Sequence, residues 1–183
     1  VESGEALLVR GANGSGKTTL LRILCGLTAP DLGEVRWAGV ATKPLTVDQR
    51  ANCLYLGHAN ALKDELSAQQ NLAHALELDG VRQDTNAQTR ALDEAGLAGR
   101  QHIAARRLSQ GQKRRVGLAR LALSNKPVWL LDEPANALDA DGLDRFVALV
   151  KSHLGKGGMA AIATHLPLPL GGTVRELHIG ASA

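Results

Sequence analysis

"GANGSGKT", Gly11 to Thr18, decides how the rest of this chain is read. It matches the pattern G-x-x-x-x-G-K-[ST]. A short apolar run, "EALLVR" (Glu5–Arg10), precedes it, and helically spaced apolar residues follow in "KTTLLRILCGL". A glycine-rich turn between strand and helix lets the backbone N–H groups of Gly11, Ala12, Asn13, Gly14, Ser15 and Gly16 turn inward around a phosphate. The helix presents its positive end at the same place, at Lys17, Thr18 and Thr19. Lys17 then reaches terminal phosphates, and the Thr18 hydroxyl is placed for Mg²⁺. The stretch predicts a nucleotide site.

Such a loop needs a carboxylate to complete its metal site, and "VWLLDEP" supplies one. Four apolar residues read as a buried strand, so Asp132 emerges at the strand's carboxyl end, where ligands bind in open α/β sheets. Glu133 follows, and an acid beside the metal carboxylate can polarise an attacking water, which makes it the candidate general base.

Working outward, strand and helix alternate. "NCLYLG" (Asn52–Gly57), "VWLL" (Val128–Leu131), "MAAIAT" and "TVRELHI" read as strands. "DGLDRFVALVKSHL" reads as an amphipathic helix ended by "GKGG". Between Ser67 and about Leu97 the pattern turns helical and polar. The fold class expected is α/β: a P-loop NTPase core with a mainly parallel sheet, plus an inserted α-helical subdomain at about 62–115. One domain is expected over 1–183. The chain opens on Val1 with a strand signal almost at once, so a preceding N-terminal strand region is expected.

Composition narrows the function. The net charge of +3 makes no case for nucleic acid, and an aromatic content of 2% argues against a base-stacking platform. Cys25 and Cys53 form no CxxC pair and read as reduced core residues of a cytosolic protein. No apolar run is long enough to span a membrane. "NKPV" (Asn125–Val128) lacks the Asp of the guanine-reading NKxD pattern, so a GTPase is not expected.

A second loop-to-helix element appears in "RRLSQGQKRR" (Arg106–Arg115). Ser109 and Gln112 have the spacing of a helix capping box, as do Ser67 and Gln70 in "SAQQ". Only the later copy adds Gly111, which lets a phosphate approach the helix end closely. Lys113, Arg114 and Arg115 add positive potential, although each taken singly reads as part of a solvated face.

Together, "LSQGQ" (Leu108–Gln112), the P-loop, "LLDEP", "NALD" (Asn136–Asp139) and "ATH" ending at His165 resemble the nucleotide-binding cassette of ABC proteins. The resemblance covers essentially the whole chain. It implies that two cassettes pack head to tail as a homodimer, so that Ser109, Gly111 and Gln112 cap the ATP held by the partner's P-loop. It also implies that Glu133 activates water, His165 contacts the γ-phosphate, Asp139 couples the two sites, and ATP and Mg²⁺ are the cofactors.

Two features depart from the family pattern. The Mg²⁺-touching Gln of most relatives falls here on His58, whose imidazole serves as a ligand only when neutral. No upstream aromatic residue can be named for stacking adenine. Within the family, "LYLGH", "LKDELSAQQNL" and "QKRRVGLARL" resemble the heme exporter ATP-binding subunit of bacterial cytochrome c maturation. That implies a peripheral place on the cytoplasmic face of the inner membrane against integral permease subunits, with heme handled by the complex rather than by this chain. A cassette for a lipid, peptide or metal complex is the alternative. A soluble ABC protein of DNA repair or ribosomes is less expected, because neither a coiled coil nor a tandem cassette is present.

Overall fold

β1 (Ala6–Arg10) leads into α1 (Lys17–Leu24), and a hairpin of β2 (Val35–Trp37) and β3 (Val40–Thr42) follows. α2 (Val47–Ala51), β4 (Cys53–Leu56), α3 (Ala68–Leu78), α4 (Thr85–Leu92) and α5 (Gln110–Leu123) come next. β5 (Val128–Asp132), α6 (Ala140–Gly155), β6 (Met159–Ala163) and β7 (Val174–His178) complete the order. This is a computed structural model, and it describes residues 1–42, 45–82, 84–172 and 174–180. Thr173, where the last expected strand begins, lies outside the described residues.

The main sheet runs β4-β5-β6-β1-β7, and every pairing in it is parallel. Parallel strands are covered on both faces, and the sequence provides for this with continuous apolar runs instead of alternation. One face gathers Leu8, Leu54, Leu56, Trp129, Leu131 and Ile162 against α6 (Phe146, Val150) and the helices of the polar middle stretch. The opposite face sets Val9, Leu130, Ala161 and Ala163 against Leu21 of α1 and Cys25, which caps its end. Each fully buried Leu or Phe contributes about 2 kcal/mol, so the two layers hold the strand ends in a fixed arrangement.

The expected α/β architecture with a parallel sheet is what forms. α3, α4 and α5 pack on one another through Leu72, Leu76, Leu92, Leu118 and Leu121. Ser67 and Ser109 both begin helices with complete capping boxes, and Thr46 does the same for α2. Each such cap stabilises by about 1 kcal/mol. β3 and α2 had no legible signal: β3 is three residues long, and α2 buries none of its five.

Candidate active site

Four strands of the main sheet deliver their carboxyl ends to one rim. β1 runs into the glycine-rich loop, β4 into Gly57 and His58, β5 into Glu133, and β6 into Thr164 and His165. Between them lies an open cavity of about 460 Å³, a size suited to a polar ligand. Asn13, Gly14, Gly16, Lys17, Thr18 and Thr19 line one side; His58, Asp132, Glu133, Asn136 and His165 line the other.

The loop geometry follows from its glycines. A side chain at Gly11, where φ is 150°, would run into the Ile179 carbonyl and the Ser15 hydroxyl. Lys17 Nζ donates to the carbonyls of Gly11 (2.8 Å) and Ala12 (3.0 Å), which hold the ammonium over the loop. Thr18 Oγ1 donates to Asp132 Oδ2 at 2.9 Å, joining α1 to the end of β5. Hydroxyl and carboxylate oxygens are the hard donors Mg²⁺ prefers. Among the described residues no three His, Cys, Asp or Glu side chains gather as a metal cage; a Mg²⁺ held by Thr18 and Asp132 would need further ligands from phosphate or water. The donor set fits that ion.

Glu133 is buried and has a positive φ of 48°, a backbone strain of roughly 1–3 kcal/mol that persists only where neighbours over-determine it. Its N–H donates to the Ala163 carbonyl at 2.9 Å. Its Oε2 stands 3.1 Å from His165 Nδ1, without the alignment of a hydrogen bond. Among the described residues, Glu133 Oε2 is one of three buried side-chain polar atoms lacking a hydrogen-bond partner, and Glu133 lines this cavity. Buried polar atoms are normally satisfied, so an unpartnered carboxylate oxygen at the cavity wall points to a polar ligand.

Two arginines that the sequence reading did not place in the site hold its walls. Arg10 ends β1 and donates through Nη1 to the carbonyls of Thr164 (3.4 Å) and Leu166 (3.0 Å), on either side of His165, while Nε pairs with Glu176. Arg114, 2% exposed, donates to carbonyls at the ends of β5 and β4. This corrects the expectation of a cationic or solvated face on α5. Arg114 and Arg115 are both buried: Arg115 pairs with Asp139 at 2.5 Å and with Asp141 at 3.2 Å. Burial pulls the Arg114 guanidinium down from its ordinary value, and the charges of Asp132 and Glu133 oppose that. Lys113 keeps part of its exposure and pairs with Asp64. The overlooked signal was helical spacing, which puts Arg114 on the same face as Leu118 and Leu121.

Ser109, Gly111 and Gln112 do not line this cavity. Ser109 and Gln112 satisfy each other's backbone N–H groups at the start of α5. A side chain on Gly111 would stand 2.5 Å from the Ala137 carbonyl, so the glycine seats α5 against the "NALD" loop of its own chain. Asp139 caps α6 through the Gly142 N–H at 2.9 Å, which together with Arg115 holds its carboxyl below the usual carboxylate range. Cys25 and Cys53 are free; burial pushes the Cys53 thiol up to about 11.

A family model described as ABC transporter matches residues 1–136. The chain belongs to the ABC transporter family.

As an ABC cassette it is an ATP-binding ATPase. It is 47% identical over 181 residues to the cytochrome c biogenesis ATP-binding export protein CcmA of Dechloromonas aromatica, covering 98% of this chain and 89% of that one. The protein of the same description from Nitrosomonas europaea is 45% identical, with 98% and 84% covered. Among solved structures, the dimeric post-hydrolysis state of the ATP-binding cassette MJ0796 bound to ADP and Pi superposes with a TM-score of 0.82. That match has 25% identity and covers 98% of this chain and 85% of that one. Among the described residues no helix of the cassette is long and apolar enough to cross a membrane.

Proposed function

We propose that this cassette hydrolyses ATP at a site completed by a second copy of itself, and that the cycle drives heme export or delivery for cytochrome c maturation. The carrying observation is a division of labour. One cavity is lined by P-loop residues, the Thr18–Asp132 pair, Glu133 and His165, while Ser109 and Gly111 do not line it. A head-to-tail pair brings Ser109, Gly111 and Gln112 of one copy onto the triphosphate of the other, with Asp139 beside the shared interface.

In this reading the backbone of Gly11 to Gly16 cradles the phosphates and Lys17 turns from its two carbonyls to the γ-phosphate. Thr18 and Asp132, with His58 at the edge, would hold a Mg²⁺, which would supply charge neutralisation to the phosphates when bound. Glu133 Oε2 accepts a proton from water while the water oxygen bonds to the γ-phosphorus. The bond to the β–γ bridging oxygen breaks, and ADP and phosphate leave. His165, 3.1 Å from Glu133, steadies the γ-phosphate as charge develops. The helices of about 62–115 form a subdomain within this single ATP-binding domain. The cassette sits peripherally on the cytoplasmic face of the inner membrane against permease subunits that carry the heme.

The cargo is supported by the resemblance to proteins named for cytochrome c biogenesis export. The test is complementation of a bacterium lacking its own cassette of that name. The wild-type chain should restore heme-stained c-type cytochromes, and Lys17→Ala should not. Normal ATPase activity without restored cytochromes would assign the cassette to another cargo.

A further inference from the structure

Arg114 makes more polar contacts than its place in a helix interior requires. Nε donates to the Pro134 carbonyl at 2.9 Å. Nη2 donates to the Asp132 carbonyl at 2.8 Å and to the Glu133 carbonyl. Nη1 donates to the Gly57 carbonyl at 2.9 Å and reaches Asn60 Oδ1 at 3.4 Å. One planar guanidinium thus gathers three consecutive carbonyls at the end of β5, those of Asp132, Glu133 and Pro134, and the carbonyl just before His58. Among the described residues no carboxylate forms a direct ion pair with it; it is held by backbone carbonyls, with the charges of Asp132 and Glu133 nearby.

Those carbonyls belong to the turn in which Glu133 adopts its positive φ. The turn is held at the Glu133 N–H by β6 and at the Glu133 carbonyl by Asn136 N–H and Arg114. Lysine has a single point donor and cannot span both strand ends, whereas the arginine fork can. Asn60 also donates to Gln110 Oε1 at 3.3 Å, so the first turn of α5 has a second link to the loop after β4.

We propose that Arg114 is a positioning residue for ATP hydrolysis: by clamping the ends of β5 and β4 to α5 it fixes where the Glu133 carboxylate and His58 stand relative to bound ATP. The role rests on the reading of Glu133 as the base. Arg114 itself does not line the cavity.

The test uses the full-length protein and separates kcat from KM. Arg114→Lys and Arg114→Gln should lower kcat by about 10²-fold, the scale of a small misplacement of a reacting group, with KM for ATP unchanged. Leu121→Ala, in the same helix and equally buried, is the stability control: it should lower Tm and leave kcat intact. Wild-type kcat in Arg114→Lys, or a kcat loss in Leu121→Ala as large as in Arg114→Lys, overturns the positioning role. If the Arg114 variants do not fold, Asn60→Asp replaces them, since a carboxylate there draws Nη1 away from the Gly57 carbonyl. It should lower kcat at constant KM, and wild-type kcat in that variant overturns the proposal. Glu133→Gln run in parallel keeps the two readings apart. Wild-type turnover in Glu133→Gln sinks the assignment of the base. Lost turnover in Glu133→Gln with full turnover in Arg114→Lys sinks only the role of Arg114.

Discussion

Thr18 and Asp132 are 114 residues apart in sequence, yet the threonine hydroxyl donates to the aspartate carboxylate at 2.9 Å. The contact crosses from the first turn of α1 to the tip of β5 and marks the place where two oxygen donors meet a phosphate cradle. Thr18→Val keeps the shape and removes the hydroxyl. It should lower Mg²⁺-dependent turnover by about 10²-fold, the usual effect of removing one donor at a developing charge. Steady-state ATPase rates across a Mg²⁺ titration check this, and an unchanged rate at limiting Mg²⁺ would remove Thr18 from the metal site.

Glu133→Gln keeps the volume and removes the proton acceptor. Hydrolysis should fall by about 10³-fold, while ATP binding persists and the protein accumulates as a closed pair. Size-exclusion chromatography at saturating ATP reads this directly; a persistent monomer would argue against closure around nucleotide.

The proposed division of the site between two copies makes a mixing prediction. Lys17→Ala loses phosphate binding and Ser109→Arg loses the cap, so each alone should be inactive. A mixed pair holds one intact site, made of the P-loop of one chain and the Ser109 loop of the other. Combining the two variants should therefore restore turnover. No recovery despite demonstrated mixed pairing would contradict the shared site.

Stability should depend on pH through His153. Its ring stacks on Trp129 at 3.7 Å and lies 3.2 Å from the Met159 carbonyl through Nε2. Burial lowers its pKa below the ordinary histidine value, against the smaller opposing pull of the Met159 and Pro127 carbonyls. The unfolded chain therefore binds the proton more readily than the folded one. The contribution is complete above about pH 6.5 and is lost as the pH falls below it. Thermal unfolding from neutral to mildly acidic pH should show this fall, and His153→Phe, which keeps the stack, should flatten it. An equal fall in His153→Phe would assign the slope to other groups.

The parts of the site that follow β1 and β5 were legible because each has a local signature, glycines before Lys17 and four apolar residues before Asp132, whereas His165 was pointed to only by the resemblance of "ATH" to the family pattern. The capping boxes at Ser67 and Ser109 were legible for the same reason, since the cap and its partner lie three residues apart. The roles of Arg10 and Arg114 were not. Their partners are backbone carbonyls, which carry no residue identity, and the separations reach 156 residues for Arg10 and Leu166. Gly111 was read as room for a phosphate, but the Ala137 carbonyl that also requires a glycine there becomes visible only when α5 and the "NALD" loop are seen together.

β1, which carries the phosphate loop, pairs in the main sheet only with β6 and β7 among the described residues. During synthesis on the ribosome that strand is made early and waits for residues 159–178 before it can be seated. Sequence-distant pairing of this kind forms late. Until β6 and β7 are made, the strand that leads into the glycine-rich loop lacks both of its sheet neighbours.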